Sequence, residues 1–243
     1  LAKRRSASET PVSQAKPFTP DESAPKTSEL AEAIEQGKND AICFFRNPEA
    51  FTVLKEKIFP QILKKHKSDE PVRVWTPGCS TGEEAYSIAI SFTEFAGEFG
   101  KHIPIQVFAT DLNDWGIEKA RLGKYSKEIA DTVFPERLRR FFTESESAYI
   151  VKKPIRDMIV FARQNILIDP PFSRLDLISC RDLLIHLKPV LHEQVFHTLH
   201  FSLKPTGVLW LGSSETIKSV SHLFLPLDEK HQFYTKKPVD TPG

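Results

Sequence analysis

The sequence predicts an α/β fold: a mostly parallel sheet with helices on its faces, an antiparallel last strand and a small β-subdomain inserted in the middle. Three observations predict it. Short, mostly apolar segments alternate with segments of helical spacing from Val72 onward, the pattern of a parallel sheet with helices on its faces. A glycine-bearing loop, Thr76-Pro77-Gly78-Cys79-Ser80-Thr81-Gly82, joins the first of these strands to a helix. A stretch from about 124 to 158 breaks the alternation with short elements of its own.

Taken in order, residues 1–40 read as linker or tail, because Pro, Ser, Thr and charges are mixed without an apolar period; a short helix is predicted over Ser28 to Gln36, with Ser28 as N-cap and Gly37 as stop. The folded domain is predicted over 41–243. Phe51, Leu54, Ile58, Ile62 and Leu63 give Pro48 to Lys65 a helical face, which Pro60 should kink or divide. Val72 to Trp75 reads as a strand, Glu83 to Phe95 as a helix, Ile105 to Ala109 as a strand and Trp115 to Leu122 as a helix ended by Gly123. The inserted region offers a helix at Pro135 to Phe142 and small strands at Ala148 to Val151 and Pro154 to Met158. Leu175 to Cys180 is a strand, Pro189 to Leu203 a helix, and Gly207 to Leu211 and Gln232 to Thr235 close the sheet, the last running antiparallel.

Composition narrows the function. Among 243 residues, Lys plus Arg number 33 and Asp plus Glu 32, a balance that argues against a dedicated nucleic-acid binder. No apolar run approaches the roughly 18 residues a bilayer span needs, so membrane insertion is not expected. Cys43, Cys79 and Cys180 are odd in number and far apart, as reduced thiols of a cytoplasmic protein are. The chain starts at Leu1 and its one methionine is Met158, so it is expected to be a piece of a longer polypeptide.

The loop after the first strand carries the chemistry. Its glycines let the backbone approach a ligand, and the following helix aims free N–H groups at it. The spacing Gly78-x-x-x-Gly82 is neither a dinucleotide fingerprint nor a phosphate loop, and the loop ends in Glu83 and Glu84, which suit an ammonium or hydroxyl better than a phosphate. Asp111, at the end of the second strand, is placed to accept hydrogen bonds from a ribose diol. Each feature has a plainer reading: Glu83 and Glu84 as first-turn acids, Asp111 as an N-cap. Together they describe a nucleoside site that avoids phosphate, which suits S-adenosylmethionine. A metal role for His192, His197 and His200 is disfavoured against an exposed helix face, since His192 to His197 is one residue too long for H-E-x-x-H. A nucleophilic Cys79 or Cys180 paired with His186 is disfavoured against simple packing. The basic pairs Arg139-Arg140 and Lys152-Lys153 read first as solvated surface.

Four ordered strings make the chain resemble the CheR family of chemotaxis methyltransferases: Phe44-Phe45-Arg46-Asn47-Pro48, Trp75 to Ser87, Phe108-Ala109-Thr110-Asp111, and Cys180-Arg181-Asp182-Leu183-Leu184-Ile185-His186. The resemblance runs from about Ala41 to Lys237, and Asp169 to Asp176 looks most like the versions found in large multidomain fusions. It implies a Rossmann-like S-adenosylmethionine-dependent methyltransferase fold and methylation of glutamate side chains on chemoreceptors. It implies that Arg46 positions the acceptor glutamate and that Glu84, with Glu83 beside it, meets the amino-acid end of the cofactor. Asp111 would hold the ribose, Asn165 and Ile166 would line the adenine pocket, and Arg181 and Asp182 would flank the cofactor. Gly78 would let the loop approach it. The implied partner is a chemoreceptor cytoplasmic domain or related signalling protein, with a receptor tail peptide able to dock on the inserted subdomain by strand addition.

The chain also departs from the family pattern. Asp182 stands where the family has Asn, and His186 where it has a Tyr close to the reacting methyl. Asp40 and Ile42 replace a polar Asn and Thr, and the tail lacks the periodicity of the basic helical domain that grips the receptor. His186 serves as hydrogen-bond donor or weak base, or marks a tolerated loss. Two readings follow: a protein-glutamate O-methyltransferase, or a catalytically impaired module that binds S-adenosylmethionine or S-adenosylhomocysteine as a sensor or scaffold.

Overall fold

A computed structural model describes residues 43–64, 66, 70–98 and 103–237. The helix predicted over Ser28 to Gln36, and Asp40 and Ile42, lie outside the described residues.

The first helical segment begins at Pro48, whose missing N–H suits a first turn. It runs as α1 (Pro48–Val53), a π-helical turn (Leu54–Ile58) and α2 (Phe59–Lys64). Pro60 was expected to kink or divide this helix. The α-helix is divided as expected, by a π-helical turn that ends just before the proline, with the Phe59 N–H reaching back to the Leu54 carbonyl. Strand β1 (Val72–Pro77) follows, then α3 (Glu83–Glu98), β2 (Ile105–Asp111) and α4 (Asp114–Leu122), which ends at Gly123 in the left-handed region (φ 59°).

The inserted region holds a three-stranded antiparallel sheet of β3 (Lys124–Ser126), β4 (Phe142–Glu144) and β5 (Ala148–Val151), with β5 in the centre and helix α5 (Pro135–Phe141) between β3 and β4. Pro154 to Met158 is not a strand. Pro154 starts a short helix, α6 (Lys153–Arg156), because a proline near N1 is already set to helical φ. The strand lies just beyond, as β6 (Ile159–Arg163), and it joins the main sheet. The rest of the sheet comes from β7 (Leu175–Cys180), β8 (Leu203–Leu211), β9 (Phe224–Asp228) and β10 (Phe233–Lys236), with α7 (Pro189–Ser202) between β7 and β8. Strand β9 escaped the sequence reading because of Pro226, which is tolerated there since β9 is an edge strand.

The seven strands lie in the order β6-β2-β1-β7-β8-β10-β9, parallel through β8, with β10 antiparallel to both of its neighbours. Alternate residues feed two cores. Val72, Val74, Val107, Ala109, Val208 and Trp210 face α1–α4 and the insert, while Trp75, Ile178, Leu209 and Leu211 face α7. Burial on both faces explains why β1 and β7 read as mostly apolar and not alternating, with Arg73 the one charge in β1 and Asp176 the one in β7. The strand order reverses between β1 and β7, so their carboxyl ends open a crevice, the place where open α/β sheets bind ligands.

Candidate active site

A cleft of about 610 Å³ fills that crevice. All ten residues singled out from the sequence line it: Arg46, Gly78, Glu83, Glu84, Asp111, Asn165, Ile166, Arg181, Asp182 and His186. They come from segments far apart in the chain and meet because β1, β2, β6 and β7 end on one side of the sheet.

The floor is the β1–α3 loop. Gly78 has φ +70° and Gly82 φ +94°, values that L side chains rarely adopt. A Cβ on Gly82 would stand 2.9 Å from the Ala120 Cβ, so this glycine also lets α4 close on the loop. Asp111 fastens the loop: its Oδ2 accepts the Ser80 N–H at 2.8 Å and its Oδ1 the Asn113 N–H at 2.9 Å. The reading of Asp111 as an N-cap is corrected here, because Asn113 caps α4, accepting from Trp115 N and Gly116 N. With two backbone donors on a carboxylate that offers about four lone-pair sites, Asp111 keeps acceptor capacity toward the cleft.

Glu83 and Glu84 open α3 side by side and have different environments. Glu83 is buried, and the Thr81 hydroxyl reaches its carboxyl at 2.7 Å. Burial pushes its pKa up to about 7, against the opposing bond from Thr81. Glu84 accepts from Ser179 Oγ at 2.8 Å and from Arg181 Nη1 at 3.0 Å. Arg181 is almost wholly enclosed: its guanidinium lies 4.3 Å from the Trp210 ring centroid, and its Nη2 donates to the Arg46 carbonyl at 3.0 Å.

Arg46 projects from a tight turn between two residues of positive φ, Phe45 (53°) and Asn47 (60°). Phe44 and Phe45 are buried, and Ser87 Oγ accepts the Phe45 N–H at 2.9 Å, so packing enforces the turn. Among the described residues six non-glycines have positive φ, and Phe45, Asn47, Ser80 and Asp182 all sit in loops of the cleft, where strain is retained for geometry. Arg46 Nη1 meets Asp182 Oδ2 at 2.8 Å.

Two anchoring residues were missed in the sequence. Buried Glu215 accepts the N–H groups of Asp182 (3.1 Å), Leu184 (2.8 Å) and Gly212 (2.7 Å), pinning the loop that presents Arg181 to His186. His192 Nε2 lies 2.9 Å from the Leu184 carbonyl oxygen and 3.1 Å from that of Leu187, so it clamps the same turn. The three α7 histidines therefore do not share an exposed face: His197 is exposed, and His200 is buried with Nε2 3.0 Å from the Lys237 carbonyl oxygen. No local sequence pattern marks these roles, since each joins segments distant along the chain. Gln164 was also missed. It lines the cleft, its Nε2 donates to the Pro170 carbonyl at 2.9 Å, and its Oε1 is buried without a partner, an acceptor waiting for a donor. Asn165 is turned partly to local structure, its Oδ1 accepting the Leu167 N–H at 3.0 Å.

The thiols do not suit nucleophilic catalysis. Burial pushes the pKa of Cys79 and Cys180 well up and that of Cys43 up, which opposes thiolate formation. No cluster of three or more potential metal ligands occurs among the described residues.

A parallel sheet with a glycine loop after β1, an acid ending β2, and acids where a phosphate site needs cations defines a nucleoside-binding α/β protein of the methyltransferase type. The chain matches the CheR methyltransferase SAM-binding domain over residues 41–233 and belongs to that family. A 104.1 kDa protein of Rhodobacter capsulatus is 36% identical over 207 residues, covering 85% of this chain and 22% of its own length. The chemotaxis protein methyltransferase 1 of Pseudomonas aeruginosa is 30% identical over 182 residues, with 73% of this chain and 66% of that protein covered. The chain thus spans about a fifth of the first relative and just under two thirds of the second. A solved S-adenosylmethionine-dependent methyltransferase of Geobacter sulfurreducens, in complex with S-adenosyl-L-homocysteine, aligns with a TM-score of 0.39 and 14% identity over 75% of this chain and 53% of that one, a likeness too low to carry an argument.

The fold is accordingly the Rossmann-like α/β fold of these methyltransferases, and the cofactor is S-adenosylmethionine. The cleft fits it. Glu83 and Asp111 supply acceptors for an ammonium and a diol, Gly78 leaves the backbone bare, and the orphaned Gln164 Oε1 matches an exocyclic amine. Among the described residues no helix is long and apolar enough to cross a membrane.

Proposed function

We propose that the domain is a protein-glutamate O-methyltransferase acting on the cytoplasmic part of chemoreceptors or related signalling proteins, and that it works in the cytoplasm. The single observation that carries this reading is the convergence of Arg46 and Arg181 with the acid-lined nucleoside cleft at the β1/β7 switch point. When bound, S-adenosylmethionine supplies an electrophilic methyl group on a positively charged sulfur.

The chain's own residues bind, align and desolvate. Asp111 holds the ribose hydroxyls, Gln164, Asn165 and Ile166 receive the adenine, and the ammonium goes to Glu83 in place of Glu84, which the resemblance implies for it but whose carboxylate is held by Ser179 and Arg181. Arg181 and Asp182 flank the cofactor, and the Arg181–Glu84 pair stiffens that wall. Arg46 binds the acceptor carboxylate at the mouth, where alignment of two charged groups is the main demand. A carboxylate acceptor is already ionised, so no general base is required, and His186 acts as a hydrogen-bond donor in the place of the family tyrosine. The insert over 124–158, through an open edge of its small sheet, receives a receptor tail strand.

One observation favours the competing reading, a module that binds S-adenosylmethionine or S-adenosylhomocysteine without transferring the methyl group: Arg46 is already paired with Asp182. Calorimetric titration with both ligands tests the cleft. Single-site binding is expected, and Asp111→Ala should weaken it about 10- to 100-fold, as for a hydrogen bond to a charged group. Base-labile methyl label on a chemoreceptor cytoplasmic domain then separates the enzyme from the module. Absence of binding by either ligand rejects both readings.

A further inference from the structure

The carboxylate at position 182 sits on the guanidinium that an acidic acceptor needs. Asp182 is the fixed member of the pair. It has φ +62°, its N–H is held by Glu215 Oε2 at 3.1 Å, and a Cβ on Gly212 would come within 3.0 Å of its Oδ1, so a glycine keeps its place open. Arg46 is the looser member, with a side chain 38% exposed against 22% for Asp182. Its neighbour in the cleft, Arg181, is committed to Glu84. Each of the two arginines lining the cleft therefore faces a carboxylate of the chain itself.

We propose that Asp182 is a specificity-determining residue, a built-in competitor that occupies Arg46 and sets how strongly an acidic acceptor side chain must bind to enter. A guanidinium carries five N–H donors, so an acceptor carboxylate has room on its open edge. What it meets there is a neutral ion pair and not a free cation. Asparagine at 182 keeps the shape and one acceptor oxygen, tolerates positive φ, and removes the competing charge. This inference rests on the reading of Arg46 as the acceptor's contact.

The test uses the full chain, wild type, Asp182→Asn and the double variant Asp182→Asn/Arg46→Ala, each saturated with S-adenosylhomocysteine. N-acetyl-glutamate amide, whose only charge is the side-chain carboxylate, is titrated against each and followed by NMR; N-acetyl-glutamine amide is the neutral control. Asp182→Asn is expected to bind the acidic probe about fivefold tighter, the worth of a partly exposed ion pair. The gain should vanish with Arg46→Ala and be absent for the neutral probe. An unchanged or weaker affinity overturns the proposal, as does a gain that survives loss of Arg46 or is shared by the neutral probe. S-adenosylhomocysteine binding is measured first in the wild-type chain. Its absence overturns the functional reading beneath the proposal, whereas its presence with no gain in Asp182→Asn overturns the role of Asp182 alone.

Discussion

Glu83 shows how burial at a single residue links stability to ligand binding. Its carboxyl titrates near 7 in the folded chain, above the ordinary carboxylate range, because desolvation outweighs the bond from Thr81. The unfolded chain releases that proton at lower pH, so the contribution of Glu83 to stability is fully present below the ordinary range and is lost as pH rises through about 7. The loss amounts to roughly 3 kcal/mol. Glu83→Gln should therefore unfold at higher urea than wild type at pH 8 and alongside it at pH 4. Ligand binding runs the other way: affinity for S-adenosylhomocysteine should rise from pH 6 to pH 8, and Glu83→Gln should flatten that rise. A wild-type affinity level across this range would remove Glu83 from the ammonium site. Adjacent Glu84 shows that sequence position alone does not assign such roles, since its carboxylate is taken by Ser179 and Arg181.

Among the elements, the turn from Arg181 to His186 depends most on distant support. Glu215 accepts two backbone N–H groups there, those of Asp182 and Leu184, and a third from Gly212, and His192 meets the carbonyls of Leu184 and Leu187. Glu215→Ala strands the three donors and should cost about 2–4 kcal/mol, read as a lower urea midpoint. It should also weaken S-adenosylhomocysteine binding by loosening Arg181. A midpoint matching wild type would mean that water replaces the carboxylate without loss. The insert is tied to the floor of the cleft in a similar way, through the Tyr125 hydroxyl, which donates to the Thr81 carbonyl at 2.7 Å. Strands β1, β2 and β7 were legible because burial on both faces makes them short and mostly apolar, with only Arg73, Gln106 and Asp176 among their long or charged polar residues before the strand ends. Strand β6 was hidden behind Pro154 and the insert, and β9 behind Pro226, because local proline rules act before the tertiary context that overrides them.

Over the whole molecule, the cleft joins loops that follow four parallel strands to the turn that carries Arg46, so a bound ligand should stabilise the fold as a unit. S-adenosylhomocysteine at 100 times its dissociation constant should add about 2.7 kcal/mol and raise the melting temperature by roughly 5–10 °C in a single transition. A shift confined to a minor early transition would show that the cleft unfolds apart from the sheet.

The sequence by itself determined the α/β class, most of the parallel core strands and ten of the residues that line the cleft, though not Gln164. Apolar period, glycine loops and strand-end acids are local signals, and the four ordered strings carried the family. Only the tertiary structure decided the pairings: Arg46 with Asp182, Arg181 with Glu84, the Glu215 and His192 clamps, and the separate environments of Glu83 and Glu84. The reason is physical. A local pattern records which face of an element is buried, but the charge state and partner of a polar side chain depend on groups brought within about 3 Å from elsewhere in the chain, and on the dielectric they share.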